Sequence, residues 1–267
     1  MNSRTLRLLR LSLLLVPMLG IGAYADSVNL GTAGSYAVLA GSAVTNTLAT
    51  TLNGNLGIYP GAALSGGGTI TLHGTENLAN GPALGAEIDL TKGYLEAKNL
   101  TSTGNLTGQN LGGLNLTTGV YSFSSSAQLT GQLTLEGTPG ALFVFQIGST
   151  LTTATGSSVI FINSLTGKPM TDANIFWQVG SSATLGTSTA FEGNILALDS
   201  ITLNTSASIT CGSALAQTGA VTLQGNTITN CGSGGTGGST VPEPGTMSLM
   251  GSGVAVLASA AYRKIRK

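Results

Sequence analysis

A short pattern that returns about every 19 residues constrains the fold of this chain more than any other feature. Each repeat holds an apolar segment, a Thr-rich segment and a third short segment, separated by Gly and Ser. The apolar series comprises 143–147, 175–179, 194–198 and 213–217, the Thr-rich series 151–155, 183–187, 201–205 and 221–225, and the third series lies near 159–162, 190–192, 208–210 and 227–229. Three short strands per turn are typical of a mainly β, three-sided parallel β-solenoid. A β-sandwich is the alternative, but it gives no reason for one pattern to recur in register.

Residues 82–100 depart from this pattern. They contain few Gly or Ser corners, and their apolar residues recur at helical spacing with a proline at the start. These apolar residues are Leu84, Ile88 and Leu95 and, beside them, Leu90, Tyr94 and Ala97. We therefore predict a solenoid of roughly six coils with one long α-helix packed alongside an apolar face. The repeat pattern does not predict the order in which the coils stack.

The composition excludes several classes of function. Between residues 26 and 240 three lysines face nine acidic residues, with no arginine, so the net charge there is −6. Such a body cannot neutralise a run of phosphates, which excludes ordinary nucleic-acid binding. His73 is the only histidine and is expected in a solvent-facing loop, whereas Trp177 belongs to the apolar series and is expected in the core. Because Asp172, Glu192 and Asp199 are scattered, we expect no enzyme activity, cofactor or metal.

The N-terminal 25 residues are predicted to form a secretory signal peptide. Arg4, Arg7 and Arg10 supply its basic region, 11–21 its apolar region, and Ala23-Tyr24-Ala25 its cleavage site. The mature chain would then begin at Asp26. An uncleaved membrane anchor is the alternative.

The C-terminus carries three parts in order: Pro242-Glu243-Pro244, an apolar segment at 247–262 and a basic tail. A Gly/Ser-rich linker at 232–240 precedes them and is expected to be flexible. The apolar segment is slightly short for a transmembrane helix, and the basic tail would keep the C-terminus inside. Residues 241–267 resemble the PEP-CTERM sorting signal, which implies recognition by an exosortase in the inner membrane, a transient membrane segment, and export to the cell surface or extracellular matrix. An inner-membrane protein that keeps its anchor is the alternative.

The body of the chain, from about residue 28 to residue 228, resembles the ice-binding proteins built as a discontinuous right-handed β-solenoid with one long helix. The most specific stretch is Phe-Trp-Gln-Val-Gly-Ser-Ser-Ala-Thr-Leu-Gly at 176–186, followed by Gly-Asn-Ile-Leu-Ala at 193–197. Further matching segments are 30–31, 36–40, 54–57, 60–61, Asp89-Leu90 with Tyr94, 119–121, and 143–147 with 150–152. The resemblance implies this fold, N-terminal coils that need not stack in chain order, and binding to ice.

The Thr-rich series independently predicts a flat binding surface. Stacked strands lie about 4.8 Å apart and outward residues two apart on a strand about 6.6 Å apart, so outward threonines repeat as a two-dimensional array. Each offers a methyl and a hydroxyl group held by a stiff χ1 angle. The predicted ice-binding residues are Thr152, Ala154, Thr184, Gly186, Thr202, Asn204 and Thr222, with Gln224, Thr45 and Thr130 continuing the row. Alternatively, an outward threonine ladder only stabilises strand pairing.

The other two faces are expected to be less suitable. The helix should cover part of one, and Phe191, Glu192 and Cys211 interrupt the third series. Cys211 and Cys231 are separated by 20 residues, about one coil, which places them as stacked neighbours within disulfide range. In a secreted protein we predict that they form a disulfide, the alternative being two buried reduced residues.

Two classes of function fit these features. The first is a secreted or cell-surface monomer that adsorbs to ice and inhibits its growth or recrystallisation. The second is a structural or adhesive protein of the extracellular matrix with the same fold and no ice affinity. The sorting signal suits both.

Overall fold

The computed structural model describes residues 28–171 and 174–232, which form a three-sided stack of parallel strands with one helix alongside. In these residues the only antiparallel pair joins Ser158–Asn163 to Lys168–Met170, so the sandwich alternative is wrong. The predicted signal peptide, the linker after residue 232, the sorting signal and the segment 247–262 lie outside the described residues, as does Asp172. Within the described ranges, no helix is both long and apolar enough to cross a membrane.

Three parallel sheets form the sides of the solenoid. The sheet that carries the helix, here the helix face, has the spatial order Glu76–Leu78, Asn55–Ile58, Tyr36–Ala40, Ala214–Ala216, Asn194–Ala197, Ile175–Val179, Phe143–Ile147, Gly119–Phe123, Gly104–Asn105. The second sheet, here the Thr face, has the order Ala127–Leu129, Leu151–Thr153, Ala183–Leu185, Ile201–Leu203, Val221–Gln224, Ala43–Thr47, Ala63–Ser65. The third face has the order Ile70–His73, Thr50–Asn53, Thr227–Thr229, Ser208–Thr210, Ala190–Glu192, Ser158–Asn163, Gln132–Gly137, Asn115–Thr117.

The coils do not stack in chain order. Tyr36–Ala40 pairs with the late strand Ala214–Ala216 on one side and with Asn55–Ile58 on the other. The first coils of the chain are therefore added beyond its last coil. The three faces contain nine, seven and eight stacked strands, so the described stack has seven complete coils and further partial ones, more than the roughly six expected. The early coils were not all included in the predicted number because they lack the regular Thr-rich motif.

The helix spans Gly81–Asn99, one residue earlier at each end than predicted. The Asn80 side chain caps it by accepting a hydrogen bond from the backbone N–H of Ala83 at 3.1 Å, and a proline lies in the first turn. The buried side of the helix is formed mostly by small residues, together with larger ones, namely Ala83, Ala86, Glu87, Leu90, Gly93, Tyr94 and Ala97.

Half of the predicted apolar stripe does not pack. Leu84, Ile88 and Leu95 are 38%, 48% and 47% exposed. The helix instead approaches the solenoid through its small residues. A Cβ on Gly93 would lie 2.8 Å from Leu30 Cδ2, so a larger residue there would push the helix away.

The interior of the solenoid is mainly apolar. Leu151, Leu185, Leu203 and Leu223 point inward and are fully buried, as the alternation of strand residues predicts. Trp177 is also fully buried, as expected, and its ring stacks on Phe145 with the centroids 3.9 Å apart. The packed interior fixes the strands whose outward residues form the surface of each face.

Candidate functional site

One straight row of threonines crosses the Thr face. The strand register places seven outward residues side by side in the order Gln128, Thr152, Thr184, Thr202, Thr222, Thr45 and Ser65. Five consecutive members are threonines, and at the usual strand spacing they span roughly 19 Å. The residues before and after each threonine on its strand are buried, so the backbone that carries each threonine side chain is held in place by the core.

The outward positions two residues further along are less regular. Gln224 pairs with Thr47 there, while Ala154 and Asn204 are half-buried. Thr130 follows Leu129, which pairs with Thr153, so Thr130 is level with Ala154. Thr130 therefore continues the array in the row of Ala154, and Gln128 lies beside Thr152.

Gly186 lies at this level but is buried and presents no side chain. A Cβ on it would come within 2.6 Å of the Thr153 carbonyl oxygen. Thr153 points inward, where its hydroxyl accepts a hydrogen bond from the Gly186 N–H at 2.8 Å and shares another with the Thr189 hydroxyl at 2.8 Å. Gly186 and Thr153 thus close the corner between the Thr face and the third face.

A further outward row precedes the threonines and was missed from the sequence. It consists of Ser126, Thr150, Ser182, Ser200, Ala220, Ala43 and Ala63, each one position before an inward apolar residue. The Thr150 hydroxyl donates to Ser126 Oγ at 2.9 Å, and Ser200 Oγ accepts from the Ala220 N–H at 3.2 Å. The signal that identifies this row is a small or hydroxyl residue two positions before each threonine.

The Thr face is electrically neutral. None of the outward residues in its three rows is ionisable, and Asp199 stands at the corner just before Ser200. There its carboxylate accepts a hydrogen bond from the Ser181 hydroxyl at 2.9 Å. Across residues 28–171 and 174–232, no group of three His, Cys, Asp or Glu side chains could hold a metal ion. The arrangement therefore offers uncharged hydroxyl and methyl groups at regular spacing.

The other sequence-predicted residues lie elsewhere. His73 is exposed, but it ends the strand Ile70–His73 on the third face and is not in a loop. Phe191 points into the core, and Glu192 is buried on the third face. Cys211 and Cys231 are joined by a disulfide with their Cα atoms 4.6 Å apart, beside the end of the third-face strands.

The structure is a parallel solenoid with inserted N-terminal coils. It has one helix on one side and a flat neutral face on another. These features define a class of β-solenoid proteins with extended planar surfaces. Residues 38–229 match the family described as Ice-binding-like, and residues 240–267 match the PEP-CTERM protein-sorting motif. The chain belongs to the ice-binding-like family, as the sequence resemblance indicated.

Relatives and solved structures support this assignment. An ice-binding protein of Nostoc sp. (strain HG1) is 51% identical over 182 residues, which cover 67% of this chain and 65% of that protein. The crystal structure of an ice binding protein from an Antarctic biological consortium has a TM-score of 0.70 at 42% identity, covering 76% of this chain and 90% of that one. The ice-binding protein of the ascomycete Antarctomyces psychrotrophicus has a TM-score of 0.69 at 35% identity, covering 76% and 98%. The predicted fold class is thereby confirmed.

Proposed function

We propose that this protein adsorbs to ice through the Thr face and thereby inhibits the growth or recrystallisation of ice. The observation that carries the proposal is the row of five stacked threonines on a neutral face. The names of its relatives, which are ice-binding proteins, favour the same partner.

The mechanism follows from the chemistry of threonine on a rigid sheet. Its methyl group orders the adjacent water, its hydroxyl group anchors that water, and the β-branched χ1 angle holds both in place. Because neighbouring threonines repeat at fixed spacing, the ordered waters form a layer that merges with the crystal. The buried inward residues on either side of each threonine keep the face flat, so little conformational entropy is lost on adsorption.

The ends of the chain support a function outside the cell. We propose that the signal peptide directs export and that an exosortase recognises Pro242, Glu243 and Pro244. The segment 247–262 would hold the protein in the inner membrane only transiently, before it reaches the cell surface or extracellular matrix. There it would act as a monomer, without a cofactor, on the surface of an ice crystal.

A structural or adhesive role in the matrix is the second candidate, since the rigid disulfide-closed solenoid and the sorting signal also suit a spacer. Thermal hysteresis and recrystallisation inhibition by the purified full chain separate the two. We expect both activities at concentrations where an equal mass of serum albumin has neither. A folded protein that shows neither activity would exclude ice adsorption and leave the structural role.

A further inference from the structure

The third face is not uniformly irregular. Stacking places four coils from opposite ends of the chain side by side, so that Thr71, Thr51, Thr227 and Ser208 form one outward row. A parallel row consists of His73, Asn53, Thr229 and Thr210. Of the interruptions expected from the sequence, Phe191 and Glu192 lie in the other half of this face, whereas Cys211 follows the strand Ser208–Thr210 at the end of this half. The other half begins at Glu192, which pairs with Thr210 and is buried.

This half of the third face is continuous with the Thr face. The segments 43–53, 201–210 and 221–229 each run from one face to the other and contain no Asp, Glu, Lys, Arg or His. Exposed Thr205 and Ser206 form the corner of one coil, and the Thr205 hydroxyl donates to Gln224 Oε1 of the next coil at 3.3 Å. Neutral, hydroxyl-bearing surface therefore wraps around the edge of the solenoid without a charged side chain in these three coils.

The wrapped surface is held rigidly. The Asn53 side-chain amide donates a hydrogen bond to the Thr229 hydroxyl of the adjacent coil at 3.0 Å. The disulfide between Cys211 and Cys231 joins the chain just beyond Thr210 and Thr229, so it fixes two neighbouring strands of the patch to each other. A surface that orders water in a lattice requires this rigidity, because movement between coils would destroy the spacing.

Beyond Glu192 the same face changes character. The antiparallel strand Lys168–Met170 lies against Ser158–Asn163 and carries an exposed lysine. Further along, Glu136 accepts a hydrogen bond from the Asn115 amide at 2.8 Å. This half combines charged side chains with an inserted hairpin whose residues 164–169 are exposed, so it does not continue the uncharged rows of the other half.

We propose that the ice-contact surface of this protein extends around the corner, from the Thr face onto the half of the third face formed by Thr51, Thr227 and Ser208. The inference rests on the proposed function, and it adds a second planar facet set at an angle to the first. Two facets that share an edge would let one molecule adsorb to two differently oriented ice surfaces or sit in the step between them.

The test compares Thr227→Arg with Gln132→Arg in the full chain. Both residues are exposed and lie in the same row of the third face, but Gln132 lies in the half beyond the hairpin. Ser208→Arg is the second patch variant, and circular dichroism selects the variants that fold. We expect the patch variants to need roughly tenfold more protein for the same recrystallisation inhibition, equivalent to about 1.4 kcal/mol, and to lose one orientation in fluorescence-based ice-plane affinity. We expect Gln132→Arg to match the wild type.

Thr202→Arg in the same series separates this inference from the proposed function. If Thr202→Arg loses activity while Thr227→Arg and Ser208→Arg behave like Gln132→Arg, the second facet does not exist and the Thr face stands alone. If the patch variants lose activity and Thr202→Arg does not, the third-face facet stands and the proposed Thr face is wrong. An inactive wild type overturns both.

Discussion

Thr45 lies directly beside Thr222 on adjacent strands of the Thr face, although the two residues come from opposite ends of the described chain. The inserted N-terminal coils thereby extend the row of threonines that the C-terminal coils begin. We predict that Thr45→Arg weakens recrystallisation inhibition about as much as Thr202→Arg, because both place a bulky charge within the same row. Thr134→Arg is the comparison, since Thr134 lies on the third face and outside the Thr face. Full activity of a folded Thr45→Arg variant would show that the N-terminal coils do not contribute to the face.

Glu87 predicts an unusual pH dependence of stability. It is buried between the helix and the solenoid, and its Oε1 atom has no hydrogen-bond partner among the described residues. Burial raises the pKa of Glu87 from 4.5 to about 8. The folded state therefore holds a proton that the unfolded state releases, and the stability due to this group is fully present below pH 4.5 and is lost as the pH rises to about 8.

Denaturant unfolding of the wild type and Glu87→Gln across this pH range checks the prediction. The wild type should lose free energy of unfolding as the pH rises, and the variant should not, because the amide cannot ionise. Asp89 does not confound the comparison, since the Thr32 backbone N–H holds the pKa of Asp89 below its usual value, so its effect falls at lower pH. Parallel curves for the two proteins would exclude a raised pKa at Glu87.

The disulfide should stabilise the end of the chain. It closes a loop whose ends are 20 residues apart, for which the loss of unfolded-state entropy is worth about 3 kcal/mol. We predict that the double variant Cys211→Ser, Cys231→Ser unfolds at lower denaturant concentration than the wild type. A reducing agent should lower the wild type to the same midpoint and leave the variant unchanged. Free thiols in the purified oxidised protein would show that the pair is not bonded.

The late coils could be predicted from the sequence because each preserves the same order of inward leucine and outward threonine, as at Thr184 and Leu185 or Thr202 and Leu203. The position of the helix was predicted from its spacing and its proline. The buried side of the helix was predicted only in part. Packing on that side depends on the close approach between the helix and Leu30 that Gly93 permits. The spacing of apolar residues does not predict this approach.

The pairing between strands that are far apart in the chain could not be predicted from the sequence. That Thr51 stacks on Thr227 depends on where the first coils are inserted, and no local pattern encodes this pairing. The third face was therefore expected to offer no continuous uncharged surface. Similarly, Thr153 belongs to the Thr-rich series by composition but faces inward to close a corner, because strand alternation places it opposite to Thr152.

The measurement that tests the central claim most directly is recrystallisation inhibition by Thr184→Arg and Thr202→Arg, the two central threonines of the row. Both side chains point outward, so each variant should fold, with stability changed by about 0.5 kcal/mol or less. Thr134→Arg places the same charge on the half of the third face beyond the hairpin and serves as the matched control. We predict that both central variants lose inhibition while Thr134→Arg retains it. Folded Thr184→Arg and Thr202→Arg proteins with full inhibition would contradict the assignment of the Thr face as the ice-binding surface.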